Sequence, residues 1–311
     1  MKFTFRQLEY FSAAAEAGSI AAAAECIHIS APSISVAITQ LEQQLGVALF
    51  IRGHAGLSLT TAGQDVLARS RALLAQARDL HDSVASNSAG LKGRIALGCM
   101  TTLAPMLLPE LVRGFAGAHP GVSVESVEGS QDQLIGQLRR GVVDVAISYD
   151  MHVPQDLQFE PLVALPPQLL MAAGHRLAHR PSIALAEVAA DDYILLDLPF
   201  SRDYFLSVFQ QAGLEPKVAL RTTQMDVVRT LVANGMGVSV AVSRPLNEAA
   251  LDGKPIVSVP LSDPLPPLAV GCLTRRGADS AVLAAFRSHV RVAISDDYIP
   301  GMRALESSAG S

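Results

Sequence analysis

The sequence predicts a winged helix-turn-helix N-terminal domain, a long linker helix and an α/β C-terminal domain built from two subdomains. Two capped helix starts lie one short helix apart near residues 19 and 30, which is the spacing of a helix-turn-helix. A heptad pattern follows after residue 62. From Arg94 onward, apolar strand patterns alternate with helical ones, which indicates a mostly parallel sheet with helices on both faces.

The first 60 residues predict three short helices and a hairpin. Ser19 and Ser30 each precede a helical pattern, and a serine hydroxyl there accepts a backbone N–H of the opening turn. Pro32 falls in the first turn of the third helix, where a missing N–H is tolerated, and Gly46 ends that helix. The predicted elements are helices at Phe5–Ala17, Ile20–Cys26 and Ala31–Leu45 and a wing hairpin over Phe50–Thr60 that turns at Gly53-His54-Ala55-Gly56.

A long helix is predicted from Ala62 to about Ser88, after a cap at Thr60. Its heptad pattern leaves two arrangements open, because such a helix can pair with a second copy or pack on its own domain. The polar segment Ser86–Gly93 is predicted to be a hinge. The a and d positions are Val66, Ser70, Leu73, Ala77, Leu80 and Val84.

The remaining chain predicts two α/β subdomains of the periplasmic-binding-protein type, because the strand pattern leaves one subdomain and returns to it. The predicted strands are Arg94–Cys99, Val122–Val127, Val142–Tyr149, Leu169–Ala172, Tyr193–Asp197, Val218–Arg221, Val238–Val242 and Leu268–Leu273. The predicted helices are Leu103–Ala118, Gln131–Arg140, Ser201–Ala212, Met225–Asn234 and Ala278–Ile294. The expected domains are 1–61 for DNA binding, 62–88 for the linker helix, 89–93 for the hinge, 94–163 with 267–295 for subdomain 1, 164–266 for subdomain 2 and 296–311 for a tail.

Composition argues against several classes of protein. No apolar run is long enough to span a membrane, and the N-terminus lacks the apolar core of a signal peptide, so we expect a cytoplasmic protein. The three cysteines are far apart and without metal-ligand spacing. No nucleophile motif, P-loop or zinc-protease motif occurs, so we expect no enzyme activity, no cofactor and no metal, and the pair His175 and His179 lies around a loop.

Charge alone does not suggest a DNA-binding protein. The net charge is −5, and residues 1–61 carry three basic residues against four acidic ones. Binding to phosphates usually relies on lysine and arginine. We therefore expect a single DNA-binding domain to bind weakly.

The order and spacing of the N-terminal residues resemble the LysR-type transcriptional regulators, and a weaker similarity extends to about residue 295. The residues that carry the resemblance are Phe5 to Phe11, Gly18-Ser19, Ser30, Pro32, Ser35, Ile38, Leu41-Glu42, Leu45-Gly46, Leu49-Phe50, Arg52, Leu59-Thr60 and Ala62-Gly63. The resemblance implies a sequence-specific regulator that binds double-stranded operator DNA and a small-molecule inducer. It also implies a homodimer or homotetramer through the linker helix, with RNA polymerase as a further partner. The alternatives are a DNA-binding protein that senses nothing and an enzyme on the same two-lobed fold.

The third helix is the expected DNA-reading element. Ala31 and Val36 are apolar where the resembled family commonly has Gln and a polar residue such as Arg; they can touch a thymine methyl group but cannot make paired hydrogen bonds to a purine. Arg52 and His54 of the wing are expected at a phosphate or the minor groove. The candidate DNA-binding residues are Ser30, Ser33, Ser35, Thr39, Gln40, Arg52 and His54.

The effector is expected at the strand ends of the α/β domain, where helix N-termini offer backbone N–H groups. Loops rich in Ser and Thr follow the predicted strands there, although each hydroxyl could serve only as a helix cap. Such a site could hold a carboxylate without Lys or Arg. The candidate effector-binding residues are Met100, Thr101, Thr102, Ser130, Tyr149, Phe200, Ser201, Arg202 and Thr223.

Overall fold

The computed structural model describes residues 3–53, 56–85 and 90–303, and it divides the chain into two compact units. Unit 1 comprises Met1–Gly90 with Gly136–Val143, and unit 2 comprises Leu91–Ile135 with Asp144–Ser311. Within the described ranges, no single helix is long and apolar enough to cross a membrane, although α2 and α3, defined below, reach that length and composition together across a 115° bend.

Unit 1 contains the three predicted helices with the predicted bounds, α1 (Phe5–Ala17), α2 (Ile20–Cys26) and α3 (Ala31–Leu45). The Ser19 hydroxyl accepts the Ala22 N–H at 3.1 Å, and the Ser30 hydroxyl accepts the Ser33 N–H at 3.4 Å, so both predicted caps are confirmed. The core of the unit is formed by Leu8, Phe11, Ala14, Ala23, Ile34, Ile38, Leu41, Leu49, Phe50, Leu67 and Leu74.

The wing strands β1 (Phe50–Gly53) and β2 (Gly56–Leu59) pair antiparallel, and α4 (Thr61–Ala85) follows them. The Thr60 hydroxyl accepts the Gly63 N–H at 2.9 Å, as expected of a cap. Gly63 is required for close approach, because a Cβ there would lie 2.1 Å from the Leu49 carbonyl oxygen. The residues His54, Ala55 and 86–89 of the predicted turn and hinge lie outside the described residues.

The linker helix α4 packs on its own unit through a face that includes Ser70 of the predicted heptad positions. Leu67, Ser70 and Leu74 are buried, and Arg71 forms an ion pair with Glu16 of α1 at 2.8 Å. Leu73 is 41% exposed and so remains available to a partner helix. The side chains of Leu80 and Val84 lie outside the described ones.

Unit 2 begins with a five-stranded sheet, which we call lobe 1. Its strands are β3 (Gly93–Met100), β4 (Val122–Gly129), β5 (Val145–Tyr149), β6 (Leu157–Leu165) and β12 (Leu268–Arg275), in the order β4-β3-β5-β12-β6. The helices that accompany these strands in the chain are α5 (Ala104–Ala118), α6 (Gln131–Arg139) and α9 (Ala281–Ala293).

The second group of strands in unit 2 is lobe 2. It comprises an antiparallel sheet of β10 (Ser239–Ala241), β7 (Gln168–Ala172) and β11 (Ile256–Pro260), and a parallel pair of β8 (Asp192–Leu196) and β9 (Lys217–Thr222). The helices of lobe 2 are α7 (Ser201–Gln211) and α8 (Met225–Ala233). The chain thus leaves lobe 1 after β6 and returns to it at β12.

The expectation of mostly parallel pairing is wrong in part. The strand β3 pairs parallel with β4 and β5, but β12 runs antiparallel to both β5 and β6, and β7 pairs antiparallel with β10 and β11. Strands β6 and β11 were also not predicted. Pro161 interrupts the pattern of β6, and it is tolerated there because β6 is an edge strand whose register shifts opposite Gly271.

Candidate effector cleft and DNA-reading helix

A cavity lies between the two lobes of unit 2, at the ends of β3, β5 and β8. Thr102 follows β3, Tyr149 ends β5, and Leu196 ends β8. Ser201 and Met225 begin α7 and α8, so two helix N-termini border the cavity. Its volume is about 10 Å³, room for about one water molecule, so the lobes are closed on each other. The lining residues are Thr102, Tyr149, Met151, Leu196, Ser201, Phe205, Met225, Val242, Ser243 and Leu268.

The lining combines hydroxyl groups with an apolar surface and carries no charged side chain. The hydroxyls of Thr102 and Tyr149 lie 3.5 Å apart, which is the limit of a hydrogen bond. Burial raises the pKa of Tyr149 far above its ordinary value, so the phenol remains a protonated donor. Ser201 and Ser243 add two buried hydroxyls from lobe 2. The lining therefore offers hydroxyl groups for a polar oxygen and an apolar surface for the rest of a molecule.

A second phenol lies near this cleft. The hydroxyl of Tyr204 on α7 is buried and has no hydrogen-bond partner among the described residues. Burial, together with the negative charge of Asp150, raises the pKa of Tyr204. A buried donor without a partner costs free energy, so this group favours the arrival of a water or ligand acceptor.

Gln131 ties the end of β5 to the start of α6, and sequence reasoning missed it. Its side-chain amide donates to the carbonyl oxygens of Tyr149, at 3.0 Å, and Met151, and it accepts the Ser148 hydroxyl at 2.8 Å. The residue is fully buried. These bonds hold Ser148, Tyr149 and Met151 at the end of β5 and so position the phenol of Tyr149. The available signal was a glutamine at a helix start beside a buried strand.

Three of the nine predicted effector residues line the cleft, namely Thr102, Tyr149 and Ser201. Thr101 and Thr223 are exposed and are not among the lining residues. Met100 is fully buried inside β3 and contributes to the core instead.

The other predicted effector residues have partners of their own. The Ser130 hydroxyl donates a hydrogen bond to the Asp132 carboxylate at 2.5 Å, at the start of α6. Its proton is therefore already engaged within the protein. Arg202 pairs with Asp197 at 3.3 Å and Asp203 at 3.5 Å. The placement of Ser130 and Arg202 thus favours roles in local structure.

Phe200 stacks on His152, with ring centroids 4.8 Å apart and an interplanar angle of 21°. His152 follows the lining residue Met151 in lobe 1, and Phe200 precedes Ser201 in lobe 2. Both residues have positive φ angles, 47° and 66°, in the region that disfavours side chains. Such strain is often found at ligand clamps and switch regions. Because one ring belongs to each lobe, the stack joins the two lobes beside the cavity, and it does so through two strained residues.

A larger cavity of about 650 Å³ lies at the opposite end of β8, next to Asp192. Asp191 in its wall contacts His175, at 3.3 Å, and Arg176, at 3.1 Å, so this carboxylate already has partners. In the described ranges no three His, Cys, Asp or Glu side chains are grouped as a metal site would require. The cavity contains none of the predicted effector residues.

In unit 1, α3 has a buried face and an exposed one. Ile34, Ile38 and Leu41 point into the core, whereas Val36 is 56% exposed on the other side. The exposed face forms an open groove lined by Pro32, Ser33, Val36, Ala37 and Gln40.

Several predicted polar DNA contacts on α3 already have partners. The hydroxyls of Ser30 and Ser33 lie 2.7 Å apart, and the Thr39 hydroxyl donates to the Ser35 carbonyl at 2.9 Å. The Gln40 side chain accepts a hydrogen bond from Gln7 at 3.2 Å. Ser35 is half-buried.

The remaining two predicted DNA contacts, both in the wing, cannot be placed. The side chain of Arg52 and all of His54 lie outside the described parts of the chain.

Glu42 fixes the wing to α3, and the sequence reasoning assigned it no role. One carboxylate oxygen accepts the backbone N–H groups of Leu49, at 2.7 Å, and Phe50, at 3.2 Å. Because Phe50 begins β1, this pair of bonds sets the position of the wing against α3.

The two buried cysteines, Cys99 and Cys272, are unsuited to thiolate chemistry. Burial raises the pKa of Cys272 to about 12 and raises the pKa of Cys99 further. Cys26 is exposed on α2. A reactive thiol needs a lowered pKa and access to solvent, and neither buried cysteine has them.

Comparison with known proteins identifies both parts of the chain. The model of the bacterial regulatory helix-turn-helix protein, lysR family, matches residues 5–64, and the model of the LysR substrate binding domain matches residues 88–294. A hydrogen peroxide-inducible genes activator of Dickeya chrysanthemi is 28% identical, and the match covers 88% of this chain and 90% of that protein.

Solved structures agree with this similarity over nearly the whole chain. HinK, a LysR family transcriptional regulator from Pseudomonas aeruginosa, is 34% identical, covers 94% of this chain and 99% of its own, and has a TM-score of 0.64. Full-length CbnR in complex with its target DNA is 26% identical, covers 93% of this chain and 99% of its own, and has a TM-score of 0.63. The chain therefore belongs to the LysR family, as a DNA-binding transcriptional regulator that carries a substrate-binding domain.

Proposed function

We propose that this regulator changes its activity when a small molecule enters the cleft between the two lobes of unit 2. The single observation that carries the proposal is the cavity itself, in which the hydroxyls of Thr102, Tyr149, Ser201 and Ser243 converge from both lobes. A ligand that contacts both lobes binds one lobe arrangement better than another. It therefore shifts the population between them.

The proposed ligand has an oxygen group, a carboxylate or another polar group, on a small apolar body. The N-termini of α7 and α8 carry partial positive charge and border the cavity, so an anionic oxygen is stabilised there without a lysine or arginine. Met151, Leu196 and Phe205 supply the apolar wall. A cavity of about 10 Å³ cannot hold such a molecule, so the lobes must separate for it to enter.

The stacked pair of His152 and Phe200 is the proposed latch of this movement. It joins the loop after β5 in lobe 1 to the loop before α7 in lobe 2, and both loops carry backbone strain. Breaking the stack allows both residues to relax, which offsets part of the cost of opening.

The proposed assembly is a homodimer or homotetramer that works in the cytoplasm. The exposed Leu73 on α4 supports pairing of linker helices. Two DNA-binding domains on one operator then compensate for the weak binding expected of a single domain with few basic residues.

The proposal is tested by a thermal-unfolding screen of the full chain against small carboxylates and neutral single-ring aromatic compounds, followed by calorimetry with each compound that stabilises it. Thr102→Val and Ser201→Ala are expected to weaken binding by about 1–3 kcal/mol, since each leaves a buried polar group of the complex unpaired. The matched control is Thr101→Val, because Thr101 is the exposed neighbour of Thr102.

If the compounds bind both cleft variants with unchanged affinity, the proposed position of the effector site is wrong. Binding of carboxylates and neutral compounds alike would reject only the role of the helix N-termini.

A further inference from the structure

We infer that Val36 reads the C5-methyl group of a pyrimidine in the major groove and is the main specificity determinant on α3. The inference rests on the DNA-binding function and adds to it which chemical group of the operator is recognised. Thymine carries this methyl group, and so does 5-methylcytosine, at the same edge of the major groove.

The position of Val36 supports this role. It is 56% exposed in the second turn of α3, on the side opposite the buried Ile34 and Ile38. An exposed valine at that point brings two methyl groups to the surface that meets the DNA. Ala31, the other apolar residue considered for this contact, is half-buried and has no branched side chain.

The chemistry of the surrounding face favours an apolar contact. The groove around Val36 is lined by Pro32, Ser33, Ala37 and Gln40, none of which is charged. The whole of α3 contains no lysine or arginine, the residues that make the commonest paired hydrogen bonds to guanine.

The polar residues nearby are less free to read bases than their exposure suggests. The Ser33 hydroxyl contacts Ser30 at 2.7 Å, and the Gln40 amide accepts a bond from Gln7 at 3.2 Å. A base contact made through the Ser33 hydroxyl or the Gln40 side-chain oxygen competes with an existing hydrogen bond, whereas a contact by Val36 displaces only water. Burial of one methyl group against another surface accounts for about a fourfold change in affinity.

The experiment uses duplexes that the full-length protein selects from a random-sequence pool. Each thymine of the selected site is replaced in turn by deoxyuridine, which lacks only the methyl group, and the dissociation constant is measured by fluorescence anisotropy. We expect a loss of about fourfold at one position in each half-site for the unmodified protein. Val36→Ala is expected to bind the thymine and uracil duplexes equally.

The matched control is Val47→Ala, because Val47 is also an exposed valine but lies just beyond the end of α3. This variant is expected to keep the full preference for the methyl group. Equal binding of a non-specific duplex by all three proteins shows that the substitutions leave the fold intact. Because alanine is a better helix former than valine, Val36→Ala is not expected to destabilise α3.

A final pair of duplexes separates the methyl group from the rest of the base. With cytosine or 5-methylcytosine at the sensitive position, the unmodified protein should prefer the methylated duplex by a similar factor, and Val36→Ala should show no preference. Equal binding of thymine and uracil at every position, or a preference that survives in Val36→Ala, overturns the inference. Failure to select any common sequence would instead contradict sequence-specific DNA binding itself.

Discussion

At the scale of single residues, the function of a side chain in this protein depends on which way the backbone turns it. Thr101 and Thr102 are neighbours with the same chemistry, yet Thr102 lines the cleft and Thr101 is exposed. The sequence identifies the loop because it follows a strand and carries hydroxyls. It cannot choose between the two threonines, since the choice depends on how β3 ends. Gln131 was missed for a similar reason, because its partners are carbonyl groups that only the fold brings close.

The thiols provide a prediction at this scale. Because burial raises the pKa of Cys99 and of Cys272, both thiols stay protonated near neutral pH. Iodoacetamide is expected to label Cys26 in the native protein and all three cysteines in denaturant, as measured by mass spectrometry.

Hydrogen peroxide is accordingly expected to leave DNA binding unchanged. A change in DNA binding that accompanies oxidation of Cys99 or Cys272 would show that the buried thiols become accessible. The variant Cys26→Ser separates an effect of the exposed thiol.

At the scale of elements, the helices of this chain were easier to predict than its strand pairing. Helix ends depend on local signals, such as Ser19, Ser30 and Gly46, and the bounds of α1, α2 and α3 agree with the prediction. Strand direction depends on partners far away in the chain. The alternation of strands and helices therefore indicated an α/β fold without revealing that β12 runs antiparallel.

The contact between α3 and the wing gives a second prediction. Removing the Glu42 carboxylate leaves the N–H groups of Leu49 and Phe50 without their acceptor, at a cost of about 1–3 kcal/mol. Glu42→Ala is thus expected to lower the free energy of unfolding of unit 1 and to weaken specific DNA binding. Urea denaturation and anisotropy measure the two effects.

The control for this prediction is Glu9→Ala, which removes an exposed glutamate from α1. Equal stability of the Glu42 and Glu9 variants would show that the two hydrogen bonds do not fix the wing.

The junction of β6 and α9 gives a pH prediction. Burial alone would raise the pKa of Glu160, but hydrogen bonds from Arg287 and Arg291 outweigh it and hold the pKa below its ordinary value. A carboxyl whose pKa is lowered in the folded state stabilises that state above its unfolded pKa, about 4.3, and loses this effect as the pH falls through the folded pKa.

Glu160→Gln is therefore expected to lower the free energy of unfolding at pH 7. Between pH 5 and pH 3 the variant should lose less further stability than the unmodified protein. Denaturation curves at these pH values test it. Equal losses of stability between pH 5 and pH 3 for the variant and the unmodified protein would contradict a lowered pKa of Glu160.

The linker helix gives a prediction about pairing. Leu73 is exposed although it belongs to the heptad pattern, whereas Leu67 and Leu74 are buried within unit 1. Leu73→Asp is expected to weaken dimerisation at least about tenfold, because a charge replaces an apolar contact in the partner interface. Analytical ultracentrifugation measures this, with Gln64→Asp on the same helix as the control. A dimer of unchanged affinity would place the interface elsewhere.

At the scale of the whole molecule, the protein separates reading from sensing. Unit 1 carries the helix-turn-helix, whose α3 has no lysine or arginine, and unit 2 carries a closed cleft without charged lining residues. We propose that specificity in both places depends on apolar shape and a few hydroxyls. Weak contacts of this kind favour an oligomeric protein that binds several sites at once. The sequence predicted this division of labour because each unit has its own pattern. It did not predict the closed state, since closure depends on contacts between residues far apart in the chain.

The most direct test of the account is the affinity of the full-length protein for its selected operator duplex, measured with and without a compound from the thermal-unfolding screen. The account predicts that the compound changes the dissociation constant or the extent of the footprint for the unmodified protein and for Thr101→Val. The same concentration is expected to have little effect on Thr102→Val and Ser201→Ala, although both should bind DNA normally without the compound. An equal response of all four proteins would contradict the central claim that the cleft between the lobes is the sensor.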